Sequence, residues 1–154
     1  MRRKDREVTD ITRIRNLVDS CKVCRMAMCD GDRPYMVALN FGYTLENGVF
    51  TFYFHSAKEG RKLDILKVNP AVCLELDWDG EVVESDNPCA FGYQFASIIA
   101  EGNVEFLETA QDKEYALNRL MLHMTGREFT FTPEMVKNVC VYKVRAESLS
   151  CKVR

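Results

Sequence analysis

The residues best suited to chemistry lie in one stretch, Phe54-His55-Ser56-Ala57-Lys58-Glu59-Gly60-Arg61-Lys62. An apolar run ends there in a histidine, a hydroxyl, a glycine and three cations. Lys58, Arg61 and Lys62 can make charge-assisted hydrogen bonds to an anion, and arginine does so with a planar fork that matches phosphate. A strand that runs through such a turn into a helix also offers free backbone N–H groups and the positive end of a helix dipole. The stretch therefore reads as a phosphate site. A helix from Lys58 to Val68 would place Lys58 and Lys62 at i and i+4 on one face. The competing reading is a solvated cluster of surface charge.

His55 is one of two histidines. At a strand end it can hydrogen-bond a bound phosphate, supply a proton near neutral pH, or simply pack. His123 falls near the end of a helical pattern, before Gly126, where the helix dipole alone favours it. The two lie on different elements without ligand spacing, so no metal site is expected. Of the seven cysteines, Cys21 and Cys24 form a CxxC. It lacks the second pair that a zinc site needs. It also follows a helix and enters a strand, the reverse of the redox context, so ordinary packed thiols are expected.

The 154 residues are expected to form one domain over 1–154, with a charged, flexible arm over 1–8. A hydrophobic content of 47% supports a real core, and 21 basic against 23 acidic residues give a net charge of -2. That balance points away from nucleic acid. No apolar run approaches the ~20 residues of a membrane span. No secretory leader is apparent, so a cytoplasmic protein is expected.

Strands and turns must position the site. Thr9 or Asp10 caps a helix to about Ser20, and 21–29 alternates as a strand. Tyr35 to Leu45 reads as one strand, and Asn47-Gly48 as a type I′ hairpin turn into the strand Val49–Phe54. Asn69-Pro70 ends the helix after the basic turn. Strands follow over 72–78 and 91–107, the second kinked at Gly102. Thr109 opens a helix to about Gly126, Thr132-Pro133 a short one, and 139–149 is a last strand before a loose tail at 151–154. Six or seven antiparallel strands with helices inserted between them exclude a doubly wound parallel sheet, and a closed or split barrel removes the sheet edges.

In order and spacing, several motifs resemble the pyridoxamine 5′-phosphate oxidase-like FMN-binding split barrels. They are Pro34-Tyr35, Leu39-Asn40-Phe41-Gly42-Tyr43, Tyr53-Phe54-His55-Ser56-Ala57, Glu59-Gly60-Arg61-Lys62, Asn69-Pro70 and Met121–Gly126. Within that superfamily the sequence is most similar to the Nim-type, 5-nitroimidazole-resistance reductase branch. The fold that the resemblance implies is mainly β, a six- to seven-stranded antiparallel split β-barrel of the FMN-binding type. It also implies a homodimer with FMN at the subunit interface. Arg61 and Lys62, with Lys58 and Gly60, match the turn that grips the phosphate. Phe54, His55 and Ser56 match the triplet beside the ribityl chain. Met36, Val37, Ala38, Leu39 and Asn40 match the strand along the flavin ring, and Ser97 a position presented by the partner subunit. Tyr35 and Asn40 stand where the oxidases carry basic residues, so pyridoxal-phosphate synthesis is not implied. The activity implied is an FMN-dependent reduction of small electrophiles such as nitroaromatics, with reduced nicotinamide as donor and His55 as the candidate catalytic group. The alternative is a flavin- or haem-binding protein without turnover.

Overall fold

The computed structural model describes residues 3–154. Nine antiparallel strands and four α-helices are present among them. These are β1 (Glu7–Val8), α1 (Ile11–Ser20), β2 (Cys24–Asp30), β3 (Arg33–Leu39), β4 (Gly42–Glu46), β5 (Val49–Ser56), α2 (Arg61–Val68), β6 (Ala71–Val83), β7 (Gly92–Leu107), α3 (Ala110–Thr125), α4 (Pro133–Lys137), β8 (Cys140–Arg145) and β9 (Ser148–Val153). The strands run in the order β3-β2-β6-β7-β8-β5-β4, with β9 joined to β7 and β1 to β9. No pairing joins β3 to β4, so the sheet is a split barrel and does not close.

Local chemistry sets most boundaries. Asp10 caps α1, accepting from the Arg13 N–H at 2.6 Å. Thr109 caps α3 through the Asp112 N–H at 3.0 Å, and Thr132 caps α4 with Pro133 in its first turn. Asn47 and Gly48 take φ of 51° and 79°, the left-handed pair that a type I′ turn requires. β5 is largely apolar from Val49 to Phe54 because both its faces are covered there. Phe50, Phe52 and Phe54 enter the main core, while Tyr53 packs in a second cluster with Ala116 and Leu117 of α3.

Three expectations change. The segment 35–45 is two strands, because the chain crosses between sheet halves at Asn40-Phe41. Asn40 is tied there to the Lys22 carbonyl at 2.9 Å, and Phe41 is fully buried. The tail is not loose, since Cys151 is buried and β9 pairs with both β1 and β7. The flexible arm expected over 1–8 gives way at Glu7–Val8, which form β1, while residues 1–2 lie outside the described residues. The split segment and the two terminal strands raise the count from the expected six or seven to nine. The expected corner is at Gly102, where β7 leaves β6 and β9 and takes β8 as its partner. No helix among the described residues is long and apolar enough to cross a membrane.

Gly42 explains how α3 sits so close to β4. A Cβ there would stand 2.2 Å from the Leu120 nitrogen and 2.4 Å from the Arg119 carbonyl carbon, both rigid helix backbone. Gly42→Ala is therefore expected to cost about 3 kcal/mol or more of stability, an overpacking penalty that denaturant unfolding will read directly. An unchanged midpoint would show that α3 can shift away.

Candidate functional site

The turn after β5 is built around Gly60. Its φ of 139° suits glycine, and it stands at the N-terminus of α2 with no side-chain cap. The helix thus begins at Arg61, three residues later than the pattern suggested. Lys58 lies outside it, so the expected i,i+4 face shared by Lys58 and Lys62 does not exist. The first N–H groups of α2 are left for a ligand or water. They open on a groove of about 320 Å³ between the turn and β3, lined by Tyr35, Val37, Ser56, Gly60, Arg61 and Lys62.

The cations divide their roles. Arg61 binds one carboxylate oxygen of Asp30 through Nε and a terminal nitrogen, at 3.0 and 2.8 Å, and its guanidinium lies 4.4 Å from the Tyr35 ring centre. It thereby pins α2 to the β2–β3 turn. Lys62 has no carboxylate partner among the described residues. Its ammonium sits 5.7 Å from the Tyr142 ring centre, half-buried, and burial lowers its pKa. Lys58 is exposed and faces a different groove, on the β8 side of the turn. The Ser56 hydroxyl donates to the Ala57 carbonyl at 2.9 Å. The Phe54 side chain is buried and stacks on Tyr142, so it supports the site from beneath. His55 is exposed at the strand end. Neighbouring atoms still strip part of the ring's hydration, and this, then the Lys62 charge, lowers its pKa. The ring is accordingly neutral at pH 7.

Strand β3 is an edge, paired only with β2. Val37 lines the groove and Leu39 packs on the core, while Met36 and Ala38 point to the exposed outer face. The side-chain amide of Asn40 is committed to the Lys22 carbonyl. Ser97 lies on β7, opposite Asp77 and Lys152. Three strand spacings, about 14 Å, separate it from β3. Within one chain it does not share the groove.

Two features were not legible in the sequence. A cleft of about 630 Å³ lies between α1, β4 and α3 and includes Asp19, Tyr43, Arg119 and His123. His123 is anchored in it, with Nε2 2.8 Å from the Cys21 carbonyl and its ring 4.5 Å from that of Phe41. Nε2 must carry the proton to make that bond. The second feature is the groove holding Lys58, whose other lysine, Lys113, comes from α3. The CxxC thiols pack as expected. Cys21 donates to the Asp77 carbonyl at 3.3 Å, and burial pushes the Cys24 pKa up to about 12.

This arrangement fits a phosphate-bearing cofactor. An uncapped helix start, a half-buried unpaired ammonium and a hydroxyl converge on one groove beside an open strand edge. Among the described residues no three His, Cys, Asp or Glu side chains cluster as a metal site would require.

Comparison with known proteins identifies the family. The family model for pyridoxamine 5′-phosphate oxidase matches residues 10–153. A candidate 5-nitroimidazole antibiotic resistance protein from Bacteroides thetaiotaomicron is similar at 31% identity and a TM-score of 0.84, over 96% of this chain and 86% of that one. The FAD and heme binding protein from Mycobacterium smegmatis shares the fold at 16% identity and a TM-score of 0.81, over 96% and 73% of the two chains. A flavocytochrome from Azotobacter vinelandii shares it at 18% identity and a TM-score of 0.81, over 100% and 72%. No curated protein matches the sequence.

The electrostatics of the groove predict a titration. His55 should titrate below the usual histidine value of about 6.5. Lys62→Ala should raise its pKa, because a positive neighbour is removed, and histidine NMR shifts against pH will show whether it does. Stability has a matching sign for the half-buried His123, whose pKa burial also lowers. A depressed folded-state value gives stability present above the unfolded pKa and lost as pH falls through the folded one. The thermal midpoint should therefore drop between about pH 7 and pH 5, and less so in His123→Asn.

Proposed function

Because the chain belongs to the pyridoxamine 5′-phosphate oxidase family, we propose that it is a flavin-dependent oxidoreductase. FMN is the smallest flavin that carries a phosphate for this turn. One observation carries this reading: the uncapped start of α2 and the unpaired Lys62 face the same groove along β3. Lys62 and the first N–H groups of α2 hold the phosphate, and the Ser56 hydroxyl can turn to donate to it. Arg61 acts one step back, fixing α2 through Asp30. The open edge of β3 and Val37 orient the ring, and neutral His55 offers one N–H donor and one lone pair beside it. A bound flavin supplies two-electron chemistry, accepting a hydride from reduced nicotinamide and passing it to a small electrophile. Nitroaromatic compounds are the substrate class favoured by the likeness to the candidate 5-nitroimidazole resistance protein.

A homodimer belongs to this reading. The outer face of the sheet carries Met36, 58% exposed, in line with the half-buried Ala27 and Cys73. A second copy would cover that face and bring its own Ser97 toward the groove. A haem-binding function is the alternative, favoured by the exposed, neutral ring of His55, which is free to serve as an axial ligand.

Purified protein titrated with FMN should quench the flavin fluorescence, and Lys62→Ala should weaken binding by ~1.5–3 kcal/mol, the worth of a bond to a charged group. Absence of any quenching sinks the flavin assignment, and a Soret band in place of flavin absorption moves it to haem. Sedimentation should give a dimer for the native chain and a monomer for Met36→Asp.

A further inference from the structure

Arg61 stands between two grooves. It lines the one at β3 together with Lys62 and Ser56, and also one of about 480 Å³ that holds Asp30, Asp64 and Ile65. Its guanidinium lies against Tyr35, a residue of the first groove, while its ion pair with Asp30 is made on the side of the second. Both Nε and the terminal nitrogen bond the same oxygen, Oδ2 of Asp30. The planar fork is matched best by two oxygens, as a phosphate offers, and here it has one. The pair is also open to solvent, with 57% of the Arg61 and 43% of the Asp30 side chain exposed. Such a pair adds little to stability, so giving it up costs little.

Asp30 has a second cation beside it. It ends β2 and pairs directly with Arg33, the first residue of β3, across the turn Gly31-Asp32. Directly opposed strand residues share a face, with Cβ atoms ~4.5–5.5 Å apart, and opposite charges there attract. Arg33 is exposed and forms no ion pair among the described residues. A phosphate monoester carries close to two negative charges near neutral pH. Lys62 compensates one of them. With Asp30 in place the other is uncompensated, because Arg61 is already neutralised.

We infer that Asp30 is a placeholder: it holds the Arg61 fork while the groove is empty, yields it to the phosphate of the ligand, and turns to Arg33. The inference rests on the flavin reading above and goes beyond it in assigning Asp30 and Arg33 as the residues that set the affinity. Arg61 acts one step back only until the phosphate arrives. It needs no travel, since Tyr35 already keeps the guanidinium at the groove wall. The exchange favours a dianion over a monoanion, because the second charge is what draws Arg61 from Asp30. It also releases α2 from the β2–β3 turn as the ligand binds.

The test uses the full chain and fluorescence titrations with FMN and with riboflavin, which lacks the phosphate. Asp30→Asn should tighten FMN about 5-fold, the size of an exposed ion pair, and leave riboflavin unchanged. A misfolded variant cannot produce that gain. In an Arg61→Gln background the same change should do nothing, which a double-mutant cycle reads. Arg33→Gln should weaken FMN roughly 2-fold, and should lose that effect when combined with Asp30→Asn. Unchanged or weaker FMN binding in Asp30→Asn, or an equal gain for riboflavin, overturns the exchange and leaves the flavin reading intact. A gain that survives in Arg61→Gln also overturns it, since simple repulsion by the Asp30 charge then suffices. Inorganic phosphate separates the two readings. If no flavin binds but phosphate raises the thermal midpoint, and more so in Asp30→Asn, the exchange stands and the flavin reading fails. If neither flavin nor phosphate binds, both fail.

Discussion

Strand β7 hydrogen-bonds into both halves of the sheet, and the rest of the fold depends on that shared strand. Its first part pairs with β6 and β9, its last part with β8. The inner faces of both halves can then enclose one continuous core, from Ile14 and Val18 of α1 through Phe52, Phe54 and Tyr142 to Leu63 and Leu66 of α2. The changeover at Gly102 needs a residue without a side chain, because the Arg145 carbonyl oxygen approaches to 2.4 Å of where a Cβ would be. A bend of that kind also leaves β3 and β4 as unpaired edges, and the basic turn opens beside the first of them.

Charge is distributed unevenly around this frame. The outer face of the larger half is neutralised by its own pairs, such as Arg25 with Glu75 and Asp77. Arg61, the residue with the better geometry for phosphate, is engaged by Asp30. The lysines around the turn have no such partners. An exposed ion pair adds little to stability, so the pairs explain orientation more than strength. What the Asp30 pair does is neutralise Arg61 at the wall of the groove, so that Lys62 is the cation there without a carboxylate partner among the described residues.

Much of this was legible because it is local. Asp10, Thr109 and Thr132 cap helices by side-chain bonds a few residues long, and Asn47-Gly48 specifies its turn without help from the rest of the chain. The family motifs likewise drew attention to the turn after β5, where the model places Gly60 at the start of α2. The parts that escaped are non-local. Nothing near Asn40-Phe41 says that the chain changes sheet halves there; the reasons are Lys22 and the core. The alternation of Leu149, Cys151 and Val153 was a readable strand pattern, but it is short and interleaved with serine and lysine. Lys113 is 55 positions from Lys58, and only α3 packing against β5 and β8 brings it to the turn. The start of α2 was misplaced because Lys58 and Glu59 are good helix formers, while Gly60 takes a backbone conformation that a helix cannot continue.

The open edge of β3 has a consequence for how the protein behaves at high concentration. Tyr35 to Leu39 presents a row of unsatisfied backbone groups next to apolar side chains, a ready template for another strand. Arg33 and Pro34 blunt only the first end of it, by charge and by a missing N–H. Whatever lies along that edge therefore also acts as its guard, and stripped protein would be the form most prone to aggregate.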